Sequence, residues 1–325
     1  MLVTQLPATR ACRVVDLDDP AAAESARAAW SPADPVAIGV ASGLRPEHGP
    51  LLDRLALTLV ADPTDDPRAV AVPDPGAAAD ALERQVRARP RAAWTLDGLL
   101  RTVAGSVGVA EGVIAESLAY STLLAGAEFR EWLAAQPARR PRAAGGEPVR
   151  LDRDDDRLRV RLDDPGRRNA FSSALRGALV DALEMPRWDP TLTRVELSGA
   201  GPCFSSGGDL AEFGRVADPP TGHALRMAAH PGLAVAALTS IVEARVHGPC
   251  IGAGVEVPAF AGRVVAEQGT TFRLPEVAMG LVPGAGGTVS LTRRIGRWRT
   301  AYLCLSGAEI DLATALAWGL VDDVG

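Results

Sequence analysis

Apolar residues in the first third of the chain fall into short continuous runs. Val36–Ala41 (VAIGVA) and Leu55–Ala61 (LALTLVA) are bounded by Pro, Gly and Asp, and a third run covers Arg68–Val72 (RAVAV). Runs of this length, β-branched in part, predict buried strands. Ala77–Arg89 takes a helical pattern after the breaker pair Pro75-Gly76 and stops at Pro90. Two more helices are expected over Thr95–Val103 and Glu111–Leu133. In the second, Ile114, Leu118, Ala125, Phe129 and Trp132 recur at helical spacing with no proline between them. Ala135–Arg150 (AQPARRPRAAGGEPVR) is dense in Pro, Gly and Arg and poor in large apolar residues, the composition of a solvated tether.

Beyond the tether, strand and helix patterns alternate. LRVRL at Leu158–Leu162 reads as a strand, Ser172–Glu184 as an amphipathic helix and Arg194–Ser198 as a second strand. Helices are expected at Leu210–Arg215 and Ala224–Leu238, strands at Ser240–Val246 and Gly262–Glu267, and helices at Ser290–Ile295, Arg299–Ser306 and Leu312–Trp318. Such alternation predicts a layered α/β fold. The chain divides into an N-terminal α/β extension (1–134) ending in a long helix, a linker (135–150) and a second unit (151–325).

Charge and composition narrow the class. With 34 basic against 40 acidic residues, a net charge of −6 and a pI near 5.4, the chain lacks the basic stripe of a nucleic-acid-binding surface. All the basic residues are Arg, so no lysine Schiff base or P-loop lysine is available, and a phosphate would be held by Arg or backbone N–H groups. Cys12, Cys203, Cys250 and Cys304 are scattered, with no CxxC pair and no His-rich partner motif, so neither a metal site nor a disulfide framework is expected. No apolar run reaches the length of a membrane span and no signal-like N-terminus is present, which reads as a soluble, cytoplasmic protein with no membrane partner.

Candidate chemistry concentrates between Arg245 and Arg294. A glycine-rich run, Gly248–Gly254, leads into Glu256, and Glu276 follows in a Leu-Pro-Glu turn trailed by the loop Pro283–Gly287. Small residues let backbone N–H groups approach a ligand, and carboxylates on apolar segments are the material of general acid–base chemistry. Spacing alone does not say whether the two glutamates face one another. The earlier loop Phe204–Leu210 (FSSGGDL) follows a strand, where its amides can stabilise developing negative charge; a plain tight turn is its other reading.

Taken in order, FSSGGDL, HGPCIGAGVEV, FRLPEVAMGLVPGAGGT and SGAEIDLATALAWGLVDDV, with the PGRRNAF turn at Pro165–Phe171, closely resemble the crotonase (enoyl-CoA hydratase/isomerase) superfamily over about Glu147–Gly325. The resemblance implies a ββα-superhelix spiral core and an acyl-CoA thioester substrate, with no cofactor beyond the CoA carried by that substrate. It implies an oxyanion hole from the amides of Gly208 and Ala253; relatives often carry Gly where Ala253 stands, which leaves the amide intact. It assigns water activation and proton exchange to Glu256 and Glu276, whose 20-position separation matches the hydratases, with Glu276 exchanging the proton at Cα. Substrate or CoA contacts fall on Arg167, Arg168, Asn169, Ala170, Ser206, Asp209 and Leu210. The two arginines are candidate partners for CoA phosphates, ligand-free rim arginines being the other reading. A homo-oligomer (trimer or hexamer) and a place in lipid metabolism are also implied.

The leading expectation is therefore an enoyl-CoA hydratase-like hydro-lyase. The alternatives are a double-bond isomerase using one glutamate, other crotonase-type chemistry in a biosynthetic pathway, and a weakly active module that binds acyl thioesters. Arg273 either pairs with Glu276 and depresses its pKa or points to solvent. His247 fits a structural hydrogen bond. Family members usually continue past the GLV motif with helices that cover the core, so the N-terminal extension is expected to cover an apolar face in their place; a degenerate half-copy of the same fold is the other reading.

Overall fold

A four-stranded parallel sheet is the first element of the protein in a computed structural model, which describes residues 11–27, 31, 34–105, 108–137, 146–216 and 218–325. Its strands lie in sequence order: β1 (Cys12–Asp16), β2 (Val36–Ala41), β3 (Leu57–Val60) and β4 (Ala69–Ala71). The three apolar runs thus form strands, and the half-polar CRVVD segment joins them at the edge. The helices of this segment are α1 (Pro20–Ala26), α2 (Gly49–Leu52), α3 (Pro75–Ala88), α4 (Pro90–Val103), α5 (Val109–Leu124) and α6 (Ala127–Ala134).

Two expectations here are corrected. Pro90 opens α4 rather than only closing α3, because a proline needs no N–H partner in a helix's first turn; Glu128 of α6 accepts the amides of Arg91 and Ala92 that would otherwise be orphaned. The long helix Glu111–Leu133 is two helices, broken where Gly126 takes an extended conformation (φ −77°, ψ 162°). The expected apolar stripe is split: Phe129 is buried and Trp132 packs on the core, but its first two members face outward. Ile114 and Leu118 are 41% and 51% exposed, while α5 buries Gly112, Val113, Glu116, Ser117, Ser121 and Leu123. The expected tether begins as α6 ends and is over by Val149; residues 138–145 lie outside the described part.

The second unit is built on a six-stranded sheet in the order β13-β10-β8-β7-β6-β5. These are β5 (Val149–Asp154), β6 (Arg157–Leu162), β7 (Arg194–Gly199), β8 (Val242–Val246), β10 (Arg263–Ala266) and β13 (Asp323–Val324). Only the β5–β6 hairpin is antiparallel. A smaller sheet joins β9 (Pro249–Ile251), β11 (Thr271–Arg273) and β12 (Ile310–Asp311). Its helices are α7 (Ser173–Trp188), α8 (Pro219–Ala228), α9 (Pro231–Ala237), α10 (Ala253–Glu256), α11 (Gly287–Ser306) and α12 (Leu312–Trp318). Each of β8 and β10 passes directly into a strand of the small sheet and then a helical turn, the ββα winding of a crotonase-type spiral.

Leu210–Arg215 forms turns, not a helix, since Gly214 sits at φ +73°. Pro231 divides the expected Ala224–Leu238 helix into α8 and α9. The two helices expected between Ser290 and Ser306 run together across a kink at Gly296 (φ 81°, ψ 157°).

The two units share one hydrophobic core. Helix α11 packs on α3, α4, α5, β3 and β4. Buried Arg297 donates to the carbonyls of Leu55 and Asp53, and Trp298 Nε1 donates to Leu52 O at 2.9 Å. No helix among the described residues is long and apolar enough to cross a membrane.

Candidate active site

Strand register brings the two glutamates together. Strands β9 and β11 pair in parallel with Ile251 opposite Arg273, and Gly252 N donates to Arg273 O at 2.9 Å. Five residues on from one partner and three from the other, Glu256 ends α10 and Glu276 opens a 3₁₀ turn. Gly252 (φ +51°) makes the approach possible: a Cβ there would lie 2.5 Å from Glu276 Oε1. One cavity of about 640 Å³ is lined by Glu256, Glu276, Gly208 and Ala253. The Ala253 amide is at the start of α10, where no intrahelical acceptor exists. Gly208 sits beside Phe171 through a parallel bridge.

Asn169 holds the Phe204–Leu210 loop in place. Fully buried at φ +51°, it donates to the carbonyls of Ala200, Cys203 and Phe204 and accepts from Asp164 N. Ser205 Oγ donates to Asn169 O and accepts from Gly207 N, which shapes the turn that presents Gly208.

The N-terminal extension supplies a third carboxylate that the sequence reading missed. Glu116, on the buried face of α5, accepts Gly286 N at 2.6 Å, Thr288 N at 2.8 Å and Thr288 Oγ1 at 2.7 Å. Glu256 Oε2 accepts Ala285 N at 2.7 Å and Gly287 N at 2.9 Å. Four consecutive amides at the start of α11 are thus dealt alternately to two carboxylates, one from each unit. A helix N-terminus favours such anions. One turn further along α5, Tyr120 lines the cavity and packs on Gly284, where a Cβ would meet its ring at 2.6 Å. The one signal for Glu116 was a charged residue three after Val113 in the middle of a helix whose other acid, Glu111, lies in its first turn.

Burial is the main force on these carboxyls. It raises the pKa of Glu116, which the neighbouring Glu256 raises further. Glu256 is also pushed up by burial, against its backbone hydrogen bonds. Glu276 is raised well above the ordinary carboxyl range, by burial and then by Glu256, and its Oε2 is buried with no partner. Arg273 is no counter-ion: it is exposed and its Nε donates to Gly307 O at 2.8 Å. His247 bonds Gly201 O at 2.9 Å, the structural role expected of it. All four cysteines are free and buried, and burial pushes the thiols of Cys203 and Cys250 up.

The other expected contact residues are dispersed. Asp209 lines the cavity, but its carboxylate is paired with Arg167, which also reaches Asp164 at 3.7 Å. Arg168 is exposed, in a left-handed conformation (φ 53°), and its carbonyl accepts Ser206 N. Ala170 is buried, and Leu210 lines a separate small cavity with Trp132 and Leu133.

Residues 157–325 match the family model described as enoyl-CoA hydratase/isomerase. The chain belongs to that family. It is 34% identical over 167 residues to a 2,3-dehydroadipyl-CoA hydratase of Escherichia coli, a match covering 51% of this chain and 65% of the relative. It is 34% identical over 172 residues to an enoyl-CoA isomerase/hydratase, fer4, of Mycosarcoma maydis, covering 50% and 63%. The chain therefore spans somewhat under two thirds of these relatives. The crystal structure of an enoyl-CoA hydratase from Mycobacterium smegmatis superposes with a TM-score of 0.52 at 28% identity, over 55% of this chain and 70% of that one.

Proposed function

We propose that the protein adds water across, or removes it from, a 2,3-enoyl-CoA thioester. The observation that carries this reading is the convergence of both glutamates and both free-standing amides on one cavity of about 640 Å³. The thioester oxygen accepts from Gly208 N and Ala253 N. Each donor of this kind is typically worth about 2.7–4 kcal/mol in the transition state.

Glu256, which already accepts two amides, is the better stabilised anion and takes a proton from water as the hydroxyl bonds to Cβ. The π electrons move onto the thioester oxygen. Glu276, kept protonated by burial and neighbouring charge, delivers its proton to Cα as that charge returns. The product is the 3-hydroxyacyl thioester, and exchange with solvent restores both carboxyls. Asp209 and Arg167 brace the loop that carries Gly208 rather than binding phosphate.

A second reading has one specific support. Glu276 has an unpartnered oxygen whereas Glu256 is tethered, the arrangement for a single carboxyl moving a proton between carbons in a double-bond shift. Ultraviolet absorbance of crotonyl-CoA separates the two. Hydration is expected to bleach the enoyl band with the native protein, and Glu276→Gln to slow this by about 10²–10⁴-fold. A band unchanged by the native protein overturns the hydratase reading.

A further inference from the structure

Two guanidinium groups in the cavity wall play no part in the chemistry proposed above. Arg176 of α7 and Arg226 of α8 line the same cavity as Glu256 and Glu276. Arg226 is bonded only to neutral acceptors: Nε to Ser117 Oγ at 3.1 Å, and Nη2 to Ser117 O at 3.1 Å and to Ser121 Oγ. Its guanidinium lies 4.5 Å from the centre of the Tyr120 ring. Arg176 donates to Ser173 Oγ at 3.4 Å, and its Nε is buried with no partner. The carboxylate beyond Ser173, Glu212, is taken up by the Ser173 amide and hydroxyl. Among the described residues neither arginine has an ion-pair partner, whereas Arg87, Arg153, Arg167 and Arg263 each have one.

Cations without an ion-pair partner in a desolvated wall are costly unless an anion joins them. Burial lowers the pKa of Arg226, and Arg176 lowers it too, against the opposing pull of Tyr120 and Glu116. Their field also reaches His230, which burial and both arginines hold neutral, with a pKa of about 4. His230 Nδ1 accepts from Leu233 N, which leaves its proton on Nε2, again buried without a partner. Next to it, Pro231 lines the cavity. Tyr120 connects this wall to the reaction centre, since it packs on Gly284, next to the Ala285 amide that holds Glu256.

We propose that Arg176 and Arg226 receive a carboxylate at the far end of the acyl chain, so that the preferred substrate is the CoA thioester of a dicarboxylic acid. This rests on the acyl-CoA reading. A thioester seated on Gly208 and Ala253 passes the two glutamates and ends against the paired guanidiniums, where charge-assisted hydrogen bonds replace the lost solvent.

Calorimetric binding of saturated thioesters tests this without turnover. Glutaryl-, adipoyl- and pimeloyl-CoA are compared with valeryl-, hexanoyl- and heptanoyl-CoA of matched length. At least one dicarboxylic thioester is expected to bind about tenfold or more tighter than its monocarboxylic counterpart. Arg176→Gln and Arg226→Gln should each remove most of that advantage while leaving the monocarboxylic affinity in place, which also shows that the variants are folded. Equal binding of the two series overturns the inference and leaves the acyl-CoA reading standing. If the substitutions weaken both series equally, the arginines read the CoA phosphates and the inference fails. Binding of neither series overturns the acyl-CoA reading and the inference with it.

Discussion

The second unit and the N-terminal extension each send a carboxylate to the start of α11, and they do it with segments of opposite character. Glu256 arrives on a segment that is apolar throughout and buried throughout, Ala253–Phe260. Glu116 arrives on a helix that turns Glu116, Ser117 and Ser121 inward and leaves Ile114 and Leu118 outside. A polar face can be buried this way because every group on it has a partner waiting: the Gly286 and Thr288 amides for Glu116, and Arg226 for the two serines. The difference teaches that this extension is part of the wall of the cavity that holds Glu256 and Glu276, not an appendage beside it.

The harshest way to break the comparison is to remove one side. Deletion of residues 1–140 strips the cover from α11, whose buried face includes Val289, Leu291, Ile295 and Arg297. It also removes Glu116 and Tyr120. The fragment is expected to be insoluble or inactive, because a contiguous apolar face of that kind drives association. Expression followed by size-exclusion chromatography and the crotonyl-CoA assay decides it. A soluble, fully active fragment would sink the claim.

A gentler cut acts at Glu116 alone. Glu116→Ala leaves the buried Gly286 and Thr288 amides without acceptors, at about 1–3 kcal/mol for each orphaned donor, and should lower the melting temperature clearly. Glu116→Gln keeps an acceptor oxygen, removes the charge and should cost less. The pH dependence then reports whether the three carboxyls act together. Their folded-state pKa values are raised above the ordinary 4.5. Between 4.5 and those raised values the folded protein holds protons that the unfolded chain has released. Stability present at low pH is therefore lost as pH rises through neutral. Glu116→Gln removes one of the three groups and should flatten that decline in thermal unfolding. An unaltered slope would show that Glu116 does not titrate with the pair.

What could be read in the sequence follows the same division. In the second unit, alternating strands and helices put apolar residues inside, so Arg194–Gly199 and Leu312–Trp318 were legible almost to the residue. The glutamate pair was legible as motif, and only the β9–β11 register explains why its members face one another. The motif made Asn169 a candidate substrate contact, and its side-chain amide closes a buried turn, a role that spacing cannot reveal. In the extension, strand composition was informative, but α5 buries Glu116, Ser117 and Ser121 beside Val113 and Leu123 and leaves Ile114 and Leu118 outside, so apolar residues did not mark its inner face. Its functional groups answer partners more than 100 positions away, at Arg226 and Gly286, and no local pattern records a partner at that distance.

The smallest effect is expected at Arg273, where the sequence raised its sharpest doubt. A guanidinium paired with Glu276 would hold that carboxyl ionised and cripple it as a proton donor. Instead Arg273 caps the end of α11, donating to Gly307 O from an exposed position, and its pull on Glu276 ranks below burial and both neighbouring glutamates. Arg273→Ala therefore removes one surface hydrogen bond, and kcat should stay within about twofold of the native protein. The alkaline limb of the pH–rate profile is the finer probe, because Glu276 can donate only while it is protonated. If the guanidinium did stabilise the Glu276 anion, its loss would raise the Glu276 pKa and carry that limb to higher pH. A profile that does not move leaves burial and the neighbouring carboxyls, Glu256 first, as the forces that keep Glu276 protonated.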